Sequence, residues 1–457
     1  MYGFYIGLHL FQNQSNLSYY DMESKVKYTI RKAVIRDRIY FHKDDILDIS
    51  FQDFRYVLFN YNLGDSFYST LEVDEETGIC AVPSGSWHKL NIQDLTDERF
   101  TTVEQAWTFN GTLRREQQDV ADKILQNSKL YSGLIKAECG WGKTFLGSYL
   151  IGTYKKPTII VCHTKLLAYQ WLDELKKLIE PADIGFIGDG KESIKPITVA
   201  IYKSLLTRLD KVQDTFEAMI VDEAHLCPAE TFSRAVNGIN AKVKIALSAT
   251  PIRKDGLHVI LPDYFGPNRI MAESVGKIIP KVEVIKTQIP FRIINPNRDW
   301  TRQLSKLSKT TPYINLIAET ANNKIAHGRC PLILSERIEM LEELQTKIPN
   351  SILLVGNTKN KEREDILKNA GIKYSAILST RIFDEGISCH RLDTLLFTCP
   401  GNNYAKLEQR IGRIQRSHPD KKYPLIVDFW LVGPIVFNQQ QNRLEWYRKQ
   451  NFEILDN

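Results

Sequence analysis

The chain has 457 residues, of which 43% are hydrophobic and 25% charged, with a formal net charge of +6. A chain of this length forms roughly two to four domains and buries a core without disulfide or metal staples. The seven cysteines form no CxxC pair, which argues against a zinc module and for a reducing, intracellular setting. The first residues, MYGFYIGLHLFQNQSN, lack a basic leader, and no apolar run reaches the ~18 residues that span a bilayer. The expected location is cytoplasmic, with no membrane partner. The mild basic excess permits nucleic acid as a partner without requiring it.

Residues 1–105 are rich in Tyr and Phe, with short alternating runs (KVKYTIRKAVIRDRIYF, RYVLFNY) broken by the turn signals NLGDS, DEETG and PSGS. Such runs predict short strands with room for one helix. From Leu113 the texture changes. Helical patterns (REQQDVADKILQ, LLAYQWLDELKKLIE) alternate with apolar strands (SGLIKAE, PTIIVCH, ITVAIY, FEAMIVDE, KVKIALSAT). The alternation fades over residues 255–280 and resumes with RCPLILS, SILLVGN, YSAILS, TLLFTC and PLIVDF. Strand–helix alternation is the signature of a parallel sheet covered on both faces. The expected fold class is α/β, with two similar parallel-sheet lobes and a small β-rich (α+β) N-terminal domain. The expected boundaries are 1–105, 106–278 and 279–457.

The sharpest feature is AECGWGKT, Ala137 to Thr144, between a predicted strand and a predicted helix. Gly140 and Gly142 allow a tight loop whose N–H groups face phosphate oxygens, and the helix N-terminus adds its dipole. Lys143 is placed to reach the β- and γ-phosphates of a nucleotide, and the Thr144 hydroxyl to ligate magnesium. FEAMIVDEAH then sets Asp222 and Glu223 at the end of an apolar strand, where a parallel sheet presents its ligand sites. An acidic pair there is costly unless it meets a cation or a reacting water. Asp222 is the magnesium candidate, and Glu223 the candidate to polarise the attacking water. In QRIGRIQR, Gln409, Arg413 and Arg416 recur three to four apart and share one helix face.

AECGWGKT, VDEAH, LSATP and QRIGRIQR, in this order, resemble motifs I, II, III and VI of the superfamily 2 helicases. The resemblance covers residues 113–420 and is strongest to the phage UvsW-like branch-migration helicases, related to the XPB and RecG types of DNA motor. SATPIRKDG, VGNTKNKERE and STRIFDEGIS point that way. It implies two RecA-like lobes and an ATP- and Mg²⁺-dependent hydrolase of the DEAH kind. Ala137, Glu138, Cys139, Gly140, Trp141 and Gly142 become the nucleotide loop. LRREQQ resembles the nucleotide-sensing motif, with Gln117 as adenine reader and Arg114 beside it, or else a plain helix-start glutamine.

The resemblance also gives Ser248 and Thr250 the role of bonding His225, which links hydrolysis to lobe movement. HTKLLAYQW and IYKSLL resemble motifs Ia and Ib, making Thr164, Lys165 and Ser204 nucleic-acid contacts, with Trp171 read as core rather than as a stacker. In the second lobe Gly356, Thr358 and Thr380 match backbone-contacting positions, and Gly386 matches motif V. Arg413 and Arg416 are implied to meet the γ-phosphate across the cleft between the lobes. Two positions depart from the family pattern: Cys139 replaces a frequent Thr, and Ser388 stands where many relatives carry an acid near the ribose.

The implied activity is an ATP-dependent DNA helicase or translocase that remodels or unwinds branched or forked DNA in replication, recombination or repair. It would act as a monomer or weak oligomer, with replication or recombination proteins as partners. An ATP-dependent RNA helicase and a DNA-gripping translocase subunit of a nuclease complex are the competing readings. In the N-terminal region Lys25, Lys27, Arg31, Arg36, Arg38 and Tyr40 are a candidate stacking face for DNA, against the plainer reading of solvated charges.

Overall fold

A computed structural model of the chain describes residues 27–63, 66–125, 132–138, 140–181, 183–227, 230–249, 256–272, 278–293, 296–356, 358, 360–380, 389, 391–401, 404–415 and 421–455. The chain divides into two compact units, residues 1–136 with 144–272, and residues 137–143 with 273–457.

The first unit opens with a five-stranded sheet. In spatial order its strands are Glu72–Val73, Ile79–Pro83, Arg38–His42, Tyr28–Ile35 and Leu90–Asp97. The last two are parallel and the other pairs antiparallel. Ile30, Ile39, Phe41, Phe59, Cys80 and Val82 form its core around Phe54. Phe54 meets Phe41 edge-on at 5.8 Å. RYVLFNY, read as a strand run, is mostly helix: Phe51–Leu58 precedes a strand Asn60–Leu63. The Ser50 hydroxyl accepts from Asp53 N–H and donates to its carboxylate, a helix cap that outweighs the β-preference of Tyr and Val. Phe51, Phe54 and Leu58 then share the inward face.

The main sheet of the first unit has eight strands, in the order Lys191–Ser193, Ile184–Gly188, Ile197–Ile201, Thr158–Cys162, Ala218–Asp222, Val243–Ser248, Gly133–Lys136 and Arg269–Met271. Only the first is antiparallel to its neighbour. Thr158–Cys162 and Ala218–Asp222 are buried along their whole length, as expected for strands covered on both faces. The small domain is fixed to this sheet's flank by a buried cluster. Asp263, wholly inaccessible, accepts from Tyr61 Oη and Thr70 Oγ1 at 2.7 Å each through Oδ2, and its Oδ1 forms an ion pair with Lys89 Nζ at 2.6 Å. Gly85 lies so close to the Tyr264–Gly266 backbone that a Cβ would fall 2.5 Å from Gly266 N.

The second unit holds a seven-stranded parallel sheet, in the order Ser351–Leu354, Ala376–Ser379, Pro331–Leu334, Thr394–Phe397, Leu425–Val432, Lys281–Pro290 and Glu453–Leu455. The tail packs back through helix Pro434–Lys449. Its Arg443 bonds both oxygens of buried Asp428 at 2.9 and 2.7 Å, and Tyr447 Oη adds a third bond at 3.3 Å. Among the described residues, no helix is long and apolar enough to cross a membrane.

Candidate functional site

Strand Gly133–Lys136 leads through the glycine loop into helix Lys143–Tyr154. Gly140 and Gly142 adopt φ of 82° and 100°, left-handed conformations that side chains resist, so the loop needs glycine at both. Trp141 N–H donates to Glu138 O at 3.2 Å, tightening the turn. Lys143 Nζ reaches back to Ala137 O at 3.4 Å, across the loop that it would complete around a phosphate. Ala137 and Trp141 are buried. The first turn of the helix carries no acid, so nothing in that turn offsets the positive end of its dipole. Cys139 lies outside the described residues.

Asp222 ends strand Ala218–Asp222, one strand removed from Gly133–Lys136, since Val243–Ser248 runs between them. The two carboxyl ends therefore lie about 10 Å apart. Asp222 is 3% exposed, and both of its oxygens are held. Trp171 Nε1 donates to Oδ2 at 3.0 Å, and Glu223 N–H donates to Oδ1 at 2.9 Å. Burial, and then the Asp222 charge, push the neighbouring Cys162 thiol far up, so this wall of the site is apolar and non-ionic.

The sequence reading placed Trp171 in the core and missed its bond to Asp222. A buried indole N–H seeks an acceptor, which is the signal that could have revealed it. The tryptophan is admitted by Gly147, where a Cβ would stand 2.4 Å from Trp171 Cη2.

Glu223 has φ 55°, a left-handed conformation unusual for a side-chain-bearing residue and of the kind found at functional sites. It turns the chain off the strand into a short 3₁₀ turn, Ala224–Leu226. There His225 Nδ1 stands 3.3 Å from Glu223 Oε2 and 3.2 Å from Ser248 Oγ. The expected Ser248–His225 contact is thus present in the geometry, whereas Thr250 lies outside the described residues. A fixed carboxylate at a strand end and a hydroxyl in the first turn of the helix after the glycine loop are hard oxygen donors of the kind magnesium takes.

The other first-unit candidates are placed as follows. Gln117 is buried, and its Oε1 accepts from Arg114 N–H at 3.0 Å, closing the N-terminal turn of helix Arg115–Leu125. Arg114 Nη1 pairs with Glu116 at 3.2 Å. Thr164 caps helix Lys165–Leu178, accepting from Leu167 N–H at 3.3 Å. Lys165 pairs with Asp189 at 2.6 Å beside the Tyr169 ring. Ser204 lies half-buried in helix Tyr202–Leu206. On the small domain Arg31, Arg36 and Arg38 pair with Asp45, Glu98 and Glu72, and Tyr40 Oη bonds Asp37. These charges are largely met within the chain, and Lys25 lies outside the described residues.

In the second unit, Thr358 Oγ1 accepts from Val355 N–H at 3.1 Å, closing a turn around Gly356 just beyond strand Ser351–Leu354. Thr380 follows strand Ala376–Ser379. Gln409 and Arg413 occupy helix Tyr404–Ile414, whose buried residues Leu407, Ile411 and Ile414 mark the inward face. Positions 409 and 413 fall on the opposite face by helical spacing. Gly386 and Arg416 lie outside the described residues.

Comparison with known proteins agrees with this arrangement. Residues 110–253 match the family model "Type III restriction enzyme, res subunit", and residues 310–418 match "Helicase conserved C-terminal domain". A probable helicase, D10 of Escherichia phage T5, is 30% identical over 70% of this chain and 73% of its own length. The DNA 3'-5' translocase XPB2 of Sulfurisphaera tokodaii is 28% identical over 68% of this chain and 81% of its own. Among solved structures, yeast Dbp5 bound to RNA and ADP BeF3 superposes with a TM-score of 0.56 at 14% identity, covering 75% of this chain and 89% of that one. That likeness establishes the fold alone.

Proposed function

The chain belongs to the superfamily 2 helicases, and we propose that it is an ATP-driven DNA motor that remodels or unwinds branched or forked DNA. The observation that carries the reading is the Asp222–Glu223–His225–Ser248 chain at the carboxyl edge of the first sheet. Asp222 is held as a fixed acceptor by Trp171 and by the Glu223 N–H. Glu223 is turned out of the strand by its left-handed backbone and adjoins His225, which in turn meets Ser248 of LSAT at the end of strand Val243–Ser248.

In this reading Lys143 and the Gly140–Gly142 loop grip the phosphates of ATP. Glu223 draws the proton from the attacking water, and Arg413 and Arg416 supply guanidinium charge to the transition state. Magnesium, held by Thr144 and Asp222, would neutralise charge on the β- and γ-phosphates. Loss of the γ-phosphate changes what Glu223 and His225 meet, and Ser248 passes that change to the segment after motif III. Gripping the strand by its phosphates makes the motor indifferent to sequence and sensitive to salt. DNA is favoured over RNA by the kinship with a DNA translocase.

Glu223→Gln tests the assignment. It removes the base while keeping the size and the hydrogen-bonding reach. ATP and DNA binding should persist while turnover falls by about 10² to 10⁴. Turnover at the wild-type rate would take Glu223 out of the chemistry.

A further inference from the structure

Helix Tyr404–Ile414 carries Gln409 and Arg413, and its buried side chains include Leu407, Ile411 and Ile414. Apolar burial is non-directional, so it fixes which face turns inward but not where the helix begins or how it tilts. Those are fixed by the segment that leads into it. That segment leaves strand Thr394–Phe397 and runs through Thr398 and Gly401, and two buried donors hold it by its carbonyls. Tyr313 Oη donates to Thr398 O at 2.8 Å, and Arg443 Nη1 donates to Gly401 O at 2.6 Å. Tyr313 is wholly inaccessible and Arg443 is 3% exposed. Thr398 is held a second time, because its hydroxyl donates to Leu334 O at 2.7 Å.

Arg443 makes one bond more than the anchoring of its own helix requires. Its Nε and Nη2 meet the two oxygens of Asp428 at 2.9 and 2.7 Å. That fork alone ties helix Pro434–Lys449 to strand Leu425–Val432. The remaining nitrogen, Nη1, goes to Gly401. Asp428 is the parallel partner of Phe397, the last residue of the strand before the segment. The guanidinium therefore bridges one strand to the chain that leaves its neighbour. A buried ion pair is a weak source of stability, since apolar residues of similar volume serve as well or better. What it supplies here is direction: a planar group with three bonds sets the Gly401 carbonyl relative to the sheet.

We propose that Arg443, oriented by Asp428, is a positioning residue for ATP hydrolysis: it fixes the entry to helix Tyr404–Ile414 and, through the helix, the placement of Arg413. The proposal rests on Arg413 serving the transition state, as in the proposed function. Position 413 stands about 14 Å along the helix from Tyr404, so a tilt of about 5° at the start moves it by about 1 Å. A displacement of that size costs up to about a hundredfold in rate. In the same reading ATP is gripped by the Lys143 loop, so its binding persists when the helix shifts.

The test is steady-state hydrolysis by the full chain with saturating forked DNA, read as kcat and KM for ATP beside the melting temperature. Asp428→Leu with Arg443→Met and Tyr447→Phe replaces the cluster by apolar residues and leaves none of its side chains unmet. Its melting temperature should stay within a few degrees of the wild type and its KM within about twofold, while kcat falls by about tenfold or more. Arg443→Lys keeps the charge against Asp428 and serves if the triple variant fails to fold. One ammonium cannot hold both carboxylate oxygens and Gly401, so kcat should fall about threefold or more with KM unchanged. Arg413→Ala is the reference. Wild-type kcat in the folded variants while Arg413→Ala is inactive, or a rate that falls only as the melting temperature falls, would overturn the positioning role and leave Arg413 in place. Full turnover by Arg413→Ala would instead remove the transition-state assignment, and this proposal with it.

Discussion

Trp171 occupies the space that Gly147 leaves, and its indole N–H then holds Asp222. Gly147→Ala would set a methyl 2.4 Å from the ring and force it to move. Overpacking of this kind costs about 1–3 kcal/mol. The variant should melt a few degrees lower and hydrolyse ATP more slowly, because the displaced ring no longer orients the carboxylate. Adding Trp171→Phe should restore the melting temperature, since the shorter ring clears the methyl, but not the rate, since no N–H remains for Asp222. Recovery of both would show that the tryptophan only packs. At this scale the sequence was legible wherever chemistry fixes the residue type. Lys143, Asp222 and Glu223 stand out in the sequence as candidates because each follows an apolar strand run, and the structure sets Asp222 at the end of a strand and Lys143 at the start of a helix. The left-handed backbone of Glu223 and the Trp171 bond do not stand out, because both arise from neighbours that meet only in the fold.

Between elements, two buried polar contacts fasten the small domain to the first sheet. Lys244 donates to Asp37 O and Val236 O, each at 3.3 Å, and burial pulls its ammonium down to about 8 although the nearby Asp37 charge opposes this. Below pH 8 the folded and unfolded chains both carry this proton. Between pH 8 and the ordinary lysine value of 10.5 the unfolded chain keeps it while the folded chain sheds it, so stability rises with pH across that window. The gain is about 3 kcal/mol. Denaturation at a series of pH values should show the wild type gaining on Lys244→Met by that order between pH 8 and 10.5. A constant difference between the two would contradict the assignment. The second fastening is Asp263, charged against Lys89 and bonded to Tyr61 and Thr70. Asp263→Ala leaves the part-buried Lys89 ammonium without its counter-ion and Tyr61 and Thr70 without their acceptor, a loss of about 3 kcal/mol. It should loosen the small domain, with limited proteolysis cutting near residues 98–106 sooner than in the wild type; unchanged cleavage would mean the cluster does not hold the domain. Neither fastening was visible in the sequence, because Asp37 and Lys244, or Lys89 and Asp263, are far apart along the chain. Strand–helix alternation, by contrast, announced both large sheets, because strands covered on both faces need continuous apolar runs. The small domain was read less well, since the Ser50 cap overrode local β-preference in RYVLF.

On the scale of the whole molecule, two parallel sheets carry candidate functional residues at or beyond their carboxyl edges, the place where such sheets present ligands. The motif order along the chain made that architecture readable. The central claim is that ATP hydrolysis here is coupled to DNA. It is tested most directly by steady-state hydrolysis of the wild type and Lys143→Ala, measured alone and with single-stranded, duplex and forked DNA and with RNA. A DNA motor predicts strong stimulation by DNA, greatest with the forked form, and none in the variant. Stimulation by RNA alone, or hydrolysis indifferent to every polymer, would contradict it.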